Sequence, residues 1–188
     1  MSAPDDWVRL DDCLRRAPAR LHPWLAEPGL LTDRVRRACG EATRFRLLRL
    51  ERAGLGVAAA RRLGVGDTHC LVREIEFACG EARWIFAQSL FPDSTVRQHP
   101  WLAELGSSAL GVSLLGRHDV SREPLEYCGL PAGHELEVAA AAPRGNSEPL
   151  WARRAVYQLS GAPILVQEVF LPALGHCGPG EVRQRSPT

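Results

Sequence analysis

The sequence predicts an α+β fold: a single domain built on an antiparallel β-sheet of about six strands with short helices. Three observations carry that expectation. Residues 150–172, LWARRAVYQLSGAPILVQEVFLP, set two apolar runs on either side of Ser160-Gly161-Ala162-Pro163, a turn signal between strands. Residues 69–92, HCLVREIEFACGEARWIFAQSLFP, repeat the design around Cys79-Gly80-Glu81. The helical stretches are short and concentrated in the first half, so hairpins rather than crossover helices join most strands.

Taken in order, residues 1–28, with Asp5-Asp6, Asp11-Asp12 and breaks at Pro18 and Pro23, read as a short helix and an irregular lead-in that Trp24 and Leu25 fasten to the core. LLTDRVRRACG reads as a helix of two to three turns, capped at its start by Thr32 or Gly29 and ended by Gly40. Residues 44–52, RFRLLRLER, alternate arginine with apolar residues as a half-exposed strand does. Gly54-Leu55-Gly56-Val57-Ala58-Ala59 then fits the GxGxxA dinucleotide fingerprint, with Glu74 downstream. The following helix is too short for a crossover, the preceding strand carries four arginines, and the next strand turns back through a hairpin, so a cofactor site is not expected. After the first hairpin come a turn at Pro92-Asp93-Ser94 and a helical piece at HPWLAELG. Residues 107–116, SSALGVSLLG, read as a loop or lid. Residues 119–130 read as a strand that Pro124 confines to an edge or a bulge, and HELEVAAAA as another strand. Residues 142–149 read as a loop. The domain is expected to span 1–172, and 173–188 has the composition of a disordered tail.

Composition excludes several chemistries. The chain has 188 residues, 45% of them hydrophobic, and a net charge of +1, which gives no electrostatic case for nucleic acid or membrane binding. Every basic residue is arginine; without lysine there is no Schiff-base, pyridoxal-phosphate or P-loop chemistry. Cys13, Cys39, Cys70, Cys79, Cys128 and Cys177 form no CxxC and no zinc spacing, and read as free thiols of a cytoplasmic protein. No apolar run suffices to cross a bilayer. The histidines have no motif partners, and the GxSxG elbow is missing. There remain an arginine, Arg73, and a glutamate, Glu168, on two strands of one sheet. A guanidinium fork suits a carboxylate, and a buried glutamate can move a proton. Spacing alone favours a structural reading, an Arg73–Glu168 pair or a pairing of Arg73 with Glu74 or Glu76, and periodicity alone allows a solvent-facing Glu168 as readily as a buried one.

LVREI at 71–75, LGVSLLG at 110–116, SREPLE at 121–126 and LWxRR…LSGxPxLVxExFLP at 150–172 together resemble chorismate lyase (chorismate pyruvate-lyase) in order and spacing. The looser likeness begins near Leu21, so it covers most of the chain. It implies an antiparallel sheet with helical flaps over a buried pocket, and elimination of pyruvate from chorismate to give 4-hydroxybenzoate, at the start of ubiquinone synthesis. It implies no metal and no organic cofactor. By position, Arg73 would grip the ring carboxylate, and Glu168 would sit near the ring hydroxyl and the ether. Leu110 would offer a main-chain group beside that hydroxyl, and Leu31 one beside the carboxylate. Chorismate and 4-hydroxybenzoate would be its small-molecule partners, with no nucleic acid, and a monomer is expected.

One departure concerns the site. Fifteen residues after the REI arginine the family pattern carries a second arginine, where this chain has Gln88. A second cation for the enolpyruvyl carboxylate would then be absent or come from Arg122, Arg153 or Arg154. The 131–149 connection is also longer than the family pattern. Two alternatives share the expected sheet. One is an inactive lyase-like protein that retains 4-hydroxybenzoate. The other is a small-molecule effector domain of a winged-helix repressor, against which stand only 28 loosely structured residues before Gly29.

Overall fold

The computed structural model describes residues 7–108, 110–115, 117–141 and 148–176. Seven strands form one sheet: β1 (Thr43–Gly54), β2 (His69–Cys79), β3 (Ala82–Pro92), β4 (Val120–Arg122), β5 (Glu126–Leu130), β6 (Leu150–Leu159) and β7 (Ala162–Phe170). Their order is β1-β2-β3-β7-β6-β4, with β5 also on β6, and every pairing is antiparallel. Both expected hairpins form. Gly80 opens the two-residue β2–β3 turn at φ +58°, and Ser160-Gly161 joins β6 to β7 with both residues at positive φ. Such turns follow the right-handed twist of the strands they connect.

The helices are α1 (Leu10–Arg16), α2 (His22–Leu25), α3 (Leu31–Cys39), α4 (Val57–Leu63), α5 (Asp93–Gln98), α6 (Leu110–Leu115) and α7 (Glu135–Ala140). One face of the sheet carries two covers. The first comprises α1 to α3, whose Trp24, Leu25, Leu31 and Val35 pack with Ile75, Phe77, Trp84 and Phe170. The second runs from α5 to α6; Leu102 and Leu105 of the connection between them, with Leu110 and Leu114 of α6, pack with Phe91, Ala155 and Ile164. The opposite face is covered by α4, around Leu63, Val72, Leu90 and Leu165, and by α7, around Phe86, Leu136, Ala140 and Val169.

The dinucleotide fingerprint is a decoy for a topological reason. β1 and β2 are adjacent and antiparallel, whereas that site requires parallel strands joined by a crossover.

Several expectations are corrected. HELEVAAAA is helical over Glu135–Ala140, not a strand: the His134 ring accepts a bond from Leu136 N, and Leu136 and Ala140, one helical turn apart, meet the sheet together. The 107–116 segment contains α6 because Leu110 and Leu114 share the same turn spacing. The 119–130 strand is two strands, β4 and β5, interrupted around Pro124. α3 begins after Leu30 with no side-chain cap, so neither Thr32 nor Gly29 caps it, while Gly40 ends it at φ +64°.

The six cysteines are not all free either. Cys39 and Cys79 form a disulfide with Cα atoms 5.7 Å apart. The β1–β2 register sets Cys79 opposite Thr43, only a short connection beyond the end of α3, which a separation of 40 residues conceals. Cys13, Cys70 and Cys128 are buried and form no disulfide among the described residues. Within the expected tail, Leu174 is buried in the core and the His176 carbonyl accepts the Trp84 indole N–H. The rest of that tail, 177–188, and residues 142–147 of the expected loop lie outside the described residues. No helix is long and apolar enough to cross a membrane among the described residues.

Candidate functional site

A pocket of about 600 Å³, its mouth included, lies in the seam between the two covers, with the middle of the sheet as its floor. Strand alternation decides which side chains reach it. Arg73, Ile75 and Phe77 come from β2, Ala87 and Ser89 from β3, Val166 and Glu168 from β7, and Arg153 and Tyr157 from β6. Gly29 to Thr32 supply one wall above, and Ser107, Ser108, Leu110, Gly111 and Leu114 supply the other. The two covers meet where Gly111 abuts Leu30; a Cβ there would collide with the Leu30 side chain. Only glycine permits that approach without displacing Leu30.

All four residues singled out in the sequence, Arg73, Glu168, Leu110 and Leu31, line this one pocket. Leu31 and Leu110 are the first residues of α3 and α6, where backbone N–H groups have no partner within the helix.

Arg73 is 3% exposed. Its Nε donates to the Gly106 carbonyl at 3.1 Å and its Nη2 to the Ser108 carbonyl. Among the described residues it forms no ion pair, so the Arg73–Glu168 bridge does not exist, nor do pairs with Glu74 or Glu76. Burial pushes its pKa down to about 10, which still leaves it a cation at neutral pH. A buried charge with only carbonyl dipoles around it is costly, and an incoming anion removes that cost.

Glu168 sits two strands and one side-chain step away, about 12 Å from Arg73 between Cα atoms by ordinary sheet spacing. Its Oε2 accepts the Arg153 Nε proton at 2.6 Å, and Arg153 Nη1 donates to the Glu27 carbonyl at 2.7 Å. Arg153, 2% exposed, was one of three arginines the sequence left open as a second cation. The register explains its place: Arg153 lies directly opposite Glu168 on the paired strand. Arg154, the next residue, points to the other face and bonds Glu126. Arg122 lies opposite Tyr157 and donates to the Pro28 carbonyl at 3.2 Å. Tyr157 was not anticipated. Its position two alternations beyond Arg153 on the same strand was a signal available in the sequence. Burial raises its pKa, and the nearby Glu168 charge adds to the rise, so the phenol is neutral at physiological pH.

Gln88 turns out not to be a pocket residue. It lies between the pocket-facing Ala87 and Ser89 and therefore points to the opposite face, where it donates to Glu74 at 2.9 Å and accepts from Gln167 at 3.1 Å. The departure from the family pattern thus falls outside the cavity.

No cluster of three or more potential metal ligands occurs among the described residues.

Comparison with known proteins agrees with this architecture. The chain is 38% identical over 165 residues to a probable chorismate pyruvate-lyase of Aromatoleum aromaticum, covering 85% of this chain and 88% of that one. It is also 38% identical over 157 residues to a probable chorismate pyruvate-lyase of Dechloromonas aromatica, covering 82% and 88%. Among solved structures, the effector domain of PhnF from Mycobacterium smegmatis superposes with a TM-score of 0.52 at 18% identity, over 77% of this chain and 89% of that one, a likeness of fold. The family model described as Chorismate lyase matches residues 3–175, and the chain belongs to the chorismate lyase family.

Proposed function

We propose that this protein is a chorismate pyruvate-lyase, cleaving chorismate to 4-hydroxybenzoate and pyruvate as a step toward ubiquinone. The observation that carries the reading is Arg73, a buried cation without an anionic partner among the described residues, facing a pocket whose other end holds Glu168. Arg73 grips the ring carboxylate, helped by the main-chain group of Leu31. Glu168 and the main-chain group of Leu110 lie at the hydroxyl end. The reaction breaks the bond between the ring and the ether oxygen and removes the proton from the neighbouring, hydroxyl-bearing ring carbon; the departing enolpyruvyl group gains a proton and becomes pyruvate. One proton leaves the ring and one is taken up, so a single acid–base group can serve both transfers, and Glu168 is assigned that work. Holding the substrate between two fixed ends converts its flexible geometry into a reactive one, and the covers keep water from weakening the Arg73 contact.

Ligand binding without chemistry is the second reading, favoured by the resemblance of the fold to effector domains. Incubation of purified protein with chorismate, without added metal, separates the two. Equal yields of 4-hydroxybenzoate and pyruvate are expected. Saturable 4-hydroxybenzoate binding with no turnover would replace the enzyme by a sensor or carrier.

A further inference from the structure

We infer that Arg153 and Tyr157 on β6, with Arg122 behind them on β4, form the subsite for the second carboxylate of a dicarboxylate substrate. The inference rests on the lyase reading and adds to it which residues hold the enolpyruvyl arm. Chorismate carries two carboxylates, and Arg73 answers only the one on the ring. At the far end, Arg153 and Tyr157 project into the pocket from the same side of β6. Arg153 is already committed by Nε to Glu168 and by Nη1 to the Glu27 carbonyl, and among the described residues Nη2 has no recorded hydrogen-bond partner. That leaves one edge of a buried guanidinium for an acceptor in the cavity, the contact for which arginine is suited.

Charge supports the assignment. The charged side chains among the described lining residues are two arginines, Arg73 and Arg153, against one carboxylate, Glu168, and a third arginine, Arg122, lies outside the lining opposite Tyr157. A substrate with two carboxylates can meet both lining arginines, whereas the monoanionic product meets only one. Tyr157 stays a neutral phenol, and can donate its proton in a hydrogen bond to a carboxylate without repelling it. The arrangement also places the arm beside Glu168, where its ether oxygen has to be when the bond breaks. Release then follows from the chemistry: pyruvate takes the second carboxylate with it, and 4-hydroxybenzoate keeps only the Arg73 end.

The test compares ligands with and without the second carboxylate. Tyr157→Phe is expected to raise the KM for chorismate about tenfold, the loss of a hydrogen bond to a charged group, with a smaller change in kcat. Its dissociation constant for 4-hydroxybenzoate, measured by calorimetry, should stay within about twofold of wild type on the same argument. Arg122→Gln, at the short β4, should move the two ligands apart in the same sense, and serves if Tyr157→Phe folds poorly. A parallel loss for both ligands, or an unchanged KM for chorismate in both variants, overturns the subsite. Calorimetry with chorismate on a wild type that performs no turnover separates failure of the lyase reading from failure of the subsite. Preferential chorismate binding that both variants abolish would support the subsite without the reaction, and equal binding of the two ligands would remove it.

Discussion

The two faces of the sheet carry polar residues on the same strands, yet they treat them differently. On the face covered by α4 and α7, Arg49 lies 3.6 Å from Glu74, Glu74 accepts from Gln88, and Gln88 accepts from Gln167. Farther along, Arg154 and Arg62 both donate to Glu126, and Arg62 also to Glu123. Glu74, Glu126 and Glu123 each have a guanidinium beside them. On the pocket face Glu168 has Arg153, but among the described residues Arg73 has only two carbonyls. A balanced buried network rigidifies a fold, while an unbalanced one stores a demand for a ligand. The contrast separates structural polarity from functional polarity where burial alone does not, since Glu74, Gln167, Arg73 and Arg153 are all buried.

The contrast can be broken in four ways. Glu168→Gln keeps the shape and loses the ionisable group, and should lower kcat by about 10²–10⁴-fold; near-normal turnover would remove Glu168 from the acid–base role. Arg73→Met keeps the stem and deletes the charge. It should cost about 3–5 kcal/mol in kcat/KM for chorismate while leaving the thermal midpoint unchanged or higher, because an unpaired buried charge is replaced by an apolar group. A large fall in the midpoint would mean that Arg73 serves the fold.

Arg154→Ala, on the other face, should do the reverse. Loss of its bond to Glu126 is expected to lower stability by about 1–3 kcal/mol in denaturant titration, with kcat/KM inside about threefold of wild type. A greater loss of activity than of stability would erase the distinction between the faces.

The smallest effect is on pH. Burial of Glu126 opposes its ionisation, but the hydrogen bonds from Arg154 and Arg62 outweigh it and hold the carboxyl below its ordinary value. The folded value is therefore below the unfolded one, about 4.3. The stability it contributes is full above that pH and disappears as pH falls through the folded value. Glu126→Gln should flatten the acid limb of the stability curve below about pH 4, and an unchanged acid limb would show that Glu126 adds nothing to it.

Much of the fold was legible because its signals are local. Two-residue turns and alternating apolar runs define the 69–92 and 150–172 hairpins within a few residues, without reference to the rest of the chain. The short segments misled for the opposite reason. HELEVAAAA alternates like a strand and is rich in helix formers, and what settles it is that Leu136 and Ala140, one helical turn apart, both meet the apolar surface of Phe86 and Val169. The Cys39–Cys79 bond was invisible because proximity came from the β1–β2 register.

The same division holds at the site. The sequence by itself determined the residue types: arginine as the only strong cation, a glutamate inside an apolar strand, and the motif blocks whose order points to one family. Strand periodicity even determined that Arg153 and Arg154 could not face the same side. Only the tertiary structure decided which side that was, that Glu168 pairs with Arg153 and not Arg73, and that Gln88 lies outside the cavity. Period two fixes relative orientation along one strand, but the choice of face depends on which covers pack where. That is a property of residues far apart in the chain, and no local pattern encodes it.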